Sequence, residues 1–276
     1  MRFGISTFIT DQGIAPAALA SAVAERGFDS LFVSEHSHIP ISRLSPSPEG
    51  GELGEKYYRL LDPFIALSAA ATVTTRLLLG TGITLLPQRD PIITAKEVAS
   101  LDLLSGGRFL FGVGVGWNRE EMMNHGTDPR TGGRVTEERL EAMQQIWTHD
   151  IAEYHSEFVD FGPMSAWPKP IQHPHPPLYI GGGPASFPRI ARFAASWFAL
   201  SVTSLGMSAA VDKLRAVTGM RTAVTVSHIG PVTSRELGGY ADHDVERVAL
   251  YLPTAPEAET LRRLDDFAAL TSRLGR

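Results

Sequence analysis

The sequence predicts an α/β fold, a (β/α)8 TIM barrel, and three observations predict it. Short runs of β-branched and aromatic residues alternate with longer Ala- and Leu-rich segments of helical period, the pattern of parallel β/α architecture. The alternation can be laid out eight times along a chain of 276 residues, the usual size of such a barrel. No internal repeat, low-complexity tract or Pro/Gly/Ser-rich divider splits the chain, so residues 1–276 are expected to form one domain. A doubly wound open sheet is the alternative built from the same alternation.

Taken in order, strands are predicted at 2–8 (RFGISTF), 30–36 (SLFVSEH), 77–86 (LLLGTGITLL) and 108–116 (RFLFGVGVG). Four more follow at 178–182 (LYIGG), 196–202 (SWFALSV), 222–229 (TAVTVSHI) and 245–252 (VERVALYL). Helical segments fit between and after them at 15–26, 63–75, 91–105, 134–148, 185–195, 206–218, 233–241 and 256–273. The seventh is the weakest, because Gly238 and Gly239 interrupt it. Two connections are long for a compact domain. One runs from Ser37 to Asp62 after strand 2; the other, from His149 to Pro177 before strand 5, carries Trp167 and a series of prolines. Long structured loops tend to carry function. In a barrel the first falls on the C-terminal face, where active sites sit.

Composition narrows the function. Thirty acidic residues against 25 basic ones give a net charge of −5, so a phosphate-backbone binder is not expected. With no cysteine there is no disulfide framework, thiolate metal site or thiol nucleophile. The opening MRFGISTFIT lacks the basic-then-apolar layout of a signal peptide. The longest apolar stretch, from Phe193 to Val202, is well short of the roughly 20 residues that span a bilayer. A cytoplasmic protein that meets neither membrane nor nucleic acid is expected.

The ends of the predicted strands supply the chemistry. Gly181, Gly182 and Gly183 precede Pro184 and a helix. Backbone N–H groups without Cβ neighbours, followed by a helix start, make a ready phosphate grip; a tight turn would use the same glycines. Gly112, Gly114 and Gly116 share one face of strand 4, leaving room for a flat ligand or for larger neighbouring side chains. His36 ends strand 2 and can carry a proton or hydrogen-bond a cofactor. His36 and His38 form an H-x-H pair, but the later strand ends offer no further ligands, so no metal is expected. Glu120 and Glu121 begin a helix, where acidic charge suits the dipole. No G-x-S-x-G elbow or Walker loop occurs. Phe8, Ile39, Tyr57, Trp117 and Trp167 are candidate apolar walls for a substrate.

These strings resemble the luciferase-like monooxygenase superfamily, and within it the coenzyme F420-dependent oxidoreductases. The resemblance rests on MRFGIST, on VSEH at 33–36 and on LGTGITLLPQRDPIITAKEVASLDLLSGGRFLFGVGVGWNREEM at 79–122. It extends through RVTEERLEAMQQIW at 134–147 and FGPMSAWPKPIQHPHPPLYIGGGP at 161–184. It implies a TIM barrel, a homodimer, and a flavin or deazaflavin across the barrel mouth. His36 matches the histidine beside the deazaflavin ring, with Glu35 next to it. Gly82 and Ile83 match a bulge, with a cis peptide, that supports the ring. Gly181, Gly182 and Gly183 match the cofactor-phosphate turn, and Trp117 and Glu120 match positions near ring and substrate. Trp117 stands where the sugar-phosphate dehydrogenases of the group carry a glutamate, so a sugar phosphate is not the expected substrate. F420 is the expected cofactor and a hydride transfer the expected reaction. FMN with a luciferase-type monooxygenation is the alternative, set second because its users carry longer insertions near strand 7. A non-catalytic flavin-binding barrel is a third reading.

Overall fold

A computed structural model of the chain describes residues 1–273 apart from 49, 202 and 220. Eight parallel strands close into a barrel: β1 (Arg2–Thr7), β2 (Ser30–Val33), β3 (Leu78–Thr81), β5 (Phe109–Gly114), β8 (Leu178–Gly181), β9 (Ser196–Ser201), β10 (Val224–His228) and β11 (Arg247–Leu252). β1 pairs with β2 on one side and β11 on the other, and the ring closes where β3 meets β5 through Leu79↔Phe109 and Gly80↔Leu110. Beyond a break at Gly82–Ile83, the short β4 (Thr84–Leu85) resumes the line of β3 and pairs with Val113 and Gly114. Each strand alternates its side chains between two apolar layers. Phe32, Leu110, Tyr179, Phe198 and Ala249 fill the barrel interior, while Ile5, Leu31, Leu79, Phe111 and Val226 face the helices. Near the strands' N-terminal ends the fully buried Arg247 reaches Asp29 at 2.9 Å and the Tyr179 hydroxyl at 3.2 Å.

The helices start and stop as their sequences dictate. In α2 (Pro63–Val73) and α3 (Pro91–Ser105) an Asp-Pro pair supplies the N-cap and first residue: Asp62 accepts from the Phe64 and Ile65 N–H groups, Asp90 from that of Ile93. Gly106, with φ 66°, closes α3. The other covering helices are α1 (Pro16–Glu25), α5 (Gly132–Thr148), α6 (Phe187–Arg192), α7 (Met207–Thr218), α8 (Ser234–Ala241) and α9 (Glu257–Thr271). α6 is shorter than expected because the turn before it is a separate 3-10 helix, Pro184–Ser186, and Ala194 then adopts φ 47°. α8 forms in spite of its two glycines. A further helix, α4 (Arg119–Asn124), follows β5.

The two long connections lie at opposite ends of the barrel. The 37–62 loop folds over the C-terminal ends of the strands and contains the 3-10 turn Glu55–Tyr57. The 149–177 connection holds an antiparallel hairpin, β6 (Ala152–His155) with β7 (Asp160–Met164), where the sequence predicts only a loop. It then enters β8 from its N-terminal side. Buried Asp102 accepts from the Ile171 and Gln172 N–H groups, and Ile171 and Gln172 lie against Gly107, just before β5. Trp167 is largely exposed and its carbonyl takes the Lys96 ammonium. Trp167 is therefore not a wall of the mouth; the proline-rich segment that carries it packs outside α3 and under the barrel.

Candidate active site

The C-terminal ends of the strands surround a cavity of about 200 Å3. Its lining draws on Thr7 and Phe8 at the end of β1, Ser34 to His36 after β2, the Gly82–Ile83 break, and Gly116 and Trp117 after β5. Leu200, Ile229 and Tyr251 complete it from β9 to β11, and Tyr57 comes in from the long loop. Larger depressions of about 540 and 690 Å3 lie around Arg2 at the other end, but barrel chemistry belongs to the C-terminal face.

His36 is held in the cavity wall by two side chains. Its Nδ1 lies 2.7 Å from Glu121 Oε2, and the Trp117 indole N–H donates to its Nε2 at 3.1 Å. Tyr57 and Trp117 meet the imidazole edge-on at 5.6 and 5.5 Å between ring centres and lie 5.9 Å from each other. Glu121 is fully buried, and its second oxygen accepts from the Ser37 N–H at 2.9 Å. Burial works to raise its pKa, but the His36 contact, the nearby Gln88 and the Ser37 amide outweigh that and hold it below the usual range. Glu121 was legible only as a helix-start charge; its contact with His36 spans 85 positions of sequence.

The Gly82–Ile83 peptide is cis. The Gly82 N–H donates to the Val33 carbonyl at 2.7 Å, and its own carbonyl accepts from the Ser34 hydroxyl at 3.1 Å. The glycines around it are explained by one side chain and one carbonyl. A Cβ on Gly114 would stand 2.0 Å from Ile83 Cδ1, one on Gly181 2.8 Å from the same atom, and one on Gly112 1.9 Å from the Thr81 carbonyl oxygen. The open face of β5 thus houses Ile83 and the strand beside it.

Two carboxylates expected near the cofactor are engaged elsewhere. Glu35 contributes to the lining, but its oxygens accept from the Leu85 N–H at 2.7 Å and from Arg89 at 2.5 Å. Burial pushes its pKa up while Arg89 opposes the shift. Arg89 also binds Asp62 and Glu97, at 2.6 and 2.8 Å. Glu120 lies outside the lining: it accepts from the Ser42 hydroxyl and from the Leu44 and Ser45 N–H groups at 3.0 and 2.6 Å. Ser42 foremost, with those amides, brings its pKa to about 2. It anchors the long loop. Ile39 is buried outside the lining too.

Gly182 and Gly183 are exposed beyond the cavity, joined to it where Gly181 backs Ile83. Gly182 has φ 126°, a conformation other residues rarely adopt, and its carbonyl accepts from Trp197 Nε1 at 2.7 Å. The Ser186 hydroxyl donates to the Gly183 carbonyl. His38 contacts Ser37 and Asn124 outside the lining, and no group of three or more His, Asp or Glu among the described residues is placed to hold a metal ion.

With this geometry, the sequence profile of the luciferase-like monooxygenases matches residues 1–274. The chain belongs to that family. A Mycobacterium tuberculosis protein named only as uncharacterized is 44% identical over 202 residues, 71% of each chain. The FMNH2-dependent dimethylsulfone monooxygenase of Pseudomonas putida is 33% identical over 133 residues, 46% of this chain and 36% of that one. In structure, the monooxygenase RslO1 from Streptomyces bottropensis superposes over 100% of both chains with a TM-score of 0.80 and 19% identity. An F420-dependent secondary alcohol dehydrogenase with an F420–acetone adduct superposes over 98% of both, with a TM-score of 0.77 and 15% identity. At these identities the superpositions establish the barrel. The luciferase-like family supplies the coarse function, a flavin- or deazaflavin-dependent oxidoreductase or monooxygenase acting on small molecules.

Proposed function

We propose that this luciferase-like barrel is an F420-dependent oxidoreductase that moves a hydride between deazaflavin C5 and a largely apolar small organic substrate. The observation that carries the reading is His36, held by Glu121 and Trp117 in the wall of the cavity that also contains the Gly82–Ile83 break. The residues fit such a group. The cavity combines flat backbone at Gly82 with apolar rings and the Ser6 and Ser227 hydroxyls, and past Ile83 lie the exposed glycines. When bound, F420 supplies the carbon that takes or gives the hydride.

The chain supplies position and proton. Gly82 and Ile83 would support one face of the ring, His36 would hydrogen-bond or carry a proton near the reacting carbon, and Trp117 would close the edge. Backbone N–H groups of Gly181, Gly182 and Gly183 would take the phosphate. The 3-10 turn and six-residue α6 that follow add little dipole, so the grip rests on those amides. Glu35, held by Arg89, would fix the segment after the break through the Leu85 N–H, and Glu120 would fasten the loop over the mouth. Phe8, Tyr57, Leu200 and Tyr251 would offer the substrate a largely apolar wall, with the Lys56 ammonium 5.0–5.3 Å from the centres of its three rings.

Compactness favours F420: residues 229–246, between β10 and β11, hold only α8 among the described elements. An FMN-dependent monooxygenase is the second reading, supported by the 33% identity to an FMNH2-dependent relative. The chain contains no helix, among the described residues, long and apolar enough to cross a membrane; the proposal places it in the cytoplasm as a homodimer. Titrating the purified protein with F420 and separately with FMN, by fluorescence, tests the assignment. Saturable binding of F420 with none of FMN is expected. Preference for FMN would replace the reading by a monooxygenase, and binding of neither would overturn it.

A further inference from the structure

The His36 ring is held from both sides, and the two contacts are chemically unequal. Trp117 Nε1 carries a hydrogen and can only donate, so at 3.1 Å the Nε2 of His36 must accept. A neutral imidazole accepting there carries its proton on Nδ1, 2.7 Å from Glu121 Oε2, and an ionised carboxylate can only accept. Each contact therefore selects the same tautomer. Glu121 is well fixed for the purpose: it is fully buried, its N–H is capped by the Asn118 side chain at 3.0 Å, and its other oxygen holds the Ser37 N–H.

We infer that Glu121 is a positioning residue of the site and that, with Trp117, it holds neutral His36 as the Nδ1–H tautomer, leaving Nε2 as the accepting atom. No assignment drawn from the sequence gave Glu121 this part. Two consequences follow. Any proton that His36 takes at the cavity enters at Nε2, and the donor must first displace the Trp117 N–H. The imidazolium so formed, having gained that proton from the donor's X–H bond, already lies against the Glu121 carboxylate, so its charge is matched without rearrangement. What this means for turnover rests on the proposed function; the tautomer does not.

The test uses 15N-labelled full-length protein without cofactor, reading the His36 ring nitrogens by long-range 1H–15N correlation and assigning them with His36→Asn. In the neutral ring, Nδ1 is expected to show the pyrrole-type shift and Nε2 the pyridine-type shift, with the Nδ1–H form in about tenfold excess or more, as a hydrogen bond to a charged group warrants. Glu121→Gln keeps the shape but removes the charge and offers a donor as readily as an acceptor; the excess is expected to fall severalfold. Trp117→Phe removes the indole N–H together with the five-membered ring that carries it, and a smaller fall is expected. An Nε2–H form in the wild-type protein would overturn the inference, whatever the variants do. So would a ratio unchanged in both variants, because Glu121 would then be a purely structural tie to Ser37. Should Glu121→Gln fail to fold, the wild-type spectrum and Trp117→Phe still decide. Failure of F420 to bind any of these samples would count against the proposed function and leave the tautomer result intact.

Discussion

A single isoleucine accounts for glycines on two neighbouring strands. Ile83 leaves the β3 line at the Gly82–Ile83 break, and its side chain occupies the space where Cβ atoms of Gly114 and Gly181 would stand. At Gly112 the obstacle is the Thr81 carbonyl itself, 1.9 Å from where an alanine methyl would sit, with both Gly112 backbone groups also bonded to the Thr81 hydroxyl. Backbone cannot swing aside as a side chain can, so Gly112→Ala is expected to cost about 3 kcal/mol, measured by urea unfolding. The sequence showed the glycines on one face but could not say what filled it, because the filler lies about 30 positions earlier in the chain. Glu120 carries a second prediction. Its pKa is depressed in the fold to about 2 from 4.5, so its contribution is present above about pH 4.5 and is lost as pH falls toward 2. Melting scans between pH 6 and 2 should show wild type losing more stability over that window than Glu120→Gln.

At the scale of elements, Arg89 joins three segments that the sequence presents separately. It binds Glu35 after β2, Asp62 at the start of α2 and Glu97 in α3, and lies 4.8 Å from the centre of the Phe64 ring. Removing the cation leaves buried Glu35 without its counter-charge, so Arg89→Met is expected to cost about 3–5 kcal/mol of unfolding free energy in urea. The eight strands were legible because each is a short apolar run, and β5, fully buried throughout, is the clearest. The β6–β7 hairpin was not. AEYH and DFGPM are mostly exposed, so no buried face imposes alternation, and Gly162-Pro163 reads as a turn. α4 was legible only as a helix start at Glu120 and Glu121, because six residues are too few to show a helical period.

For the whole molecule, the Arg247–Asp29 pair and the His36 cavity lie at opposite ends of the barrel, the first under the interior and the second at the mouth. That division let strand ends be searched from sequence alone, and His36, Glu35, Gly82, Ile83 and Trp117 do share one cavity. The partners that orient them, Glu121 and Arg89, come from elsewhere in the chain and needed the fold to be seen. For the proposed homodimer, Ile65 on α2 and Ile93 and Leu104 on α3, 59–68% exposed, are the residues to test. Analytical ultracentrifugation should find a dimer in wild type and a shift toward monomer in Ile65→Lys/Leu104→Lys. The central claim, that one cavity seats the deazaflavin between His36 and the Gly82–Ile83 break, is tested most directly by a crystal structure of the protein with F420. The ring is expected against Gly82 and Ile83, with His36 beside it and the phosphate at Gly181 to Gly183. A ring bound anywhere else on the barrel would contradict it.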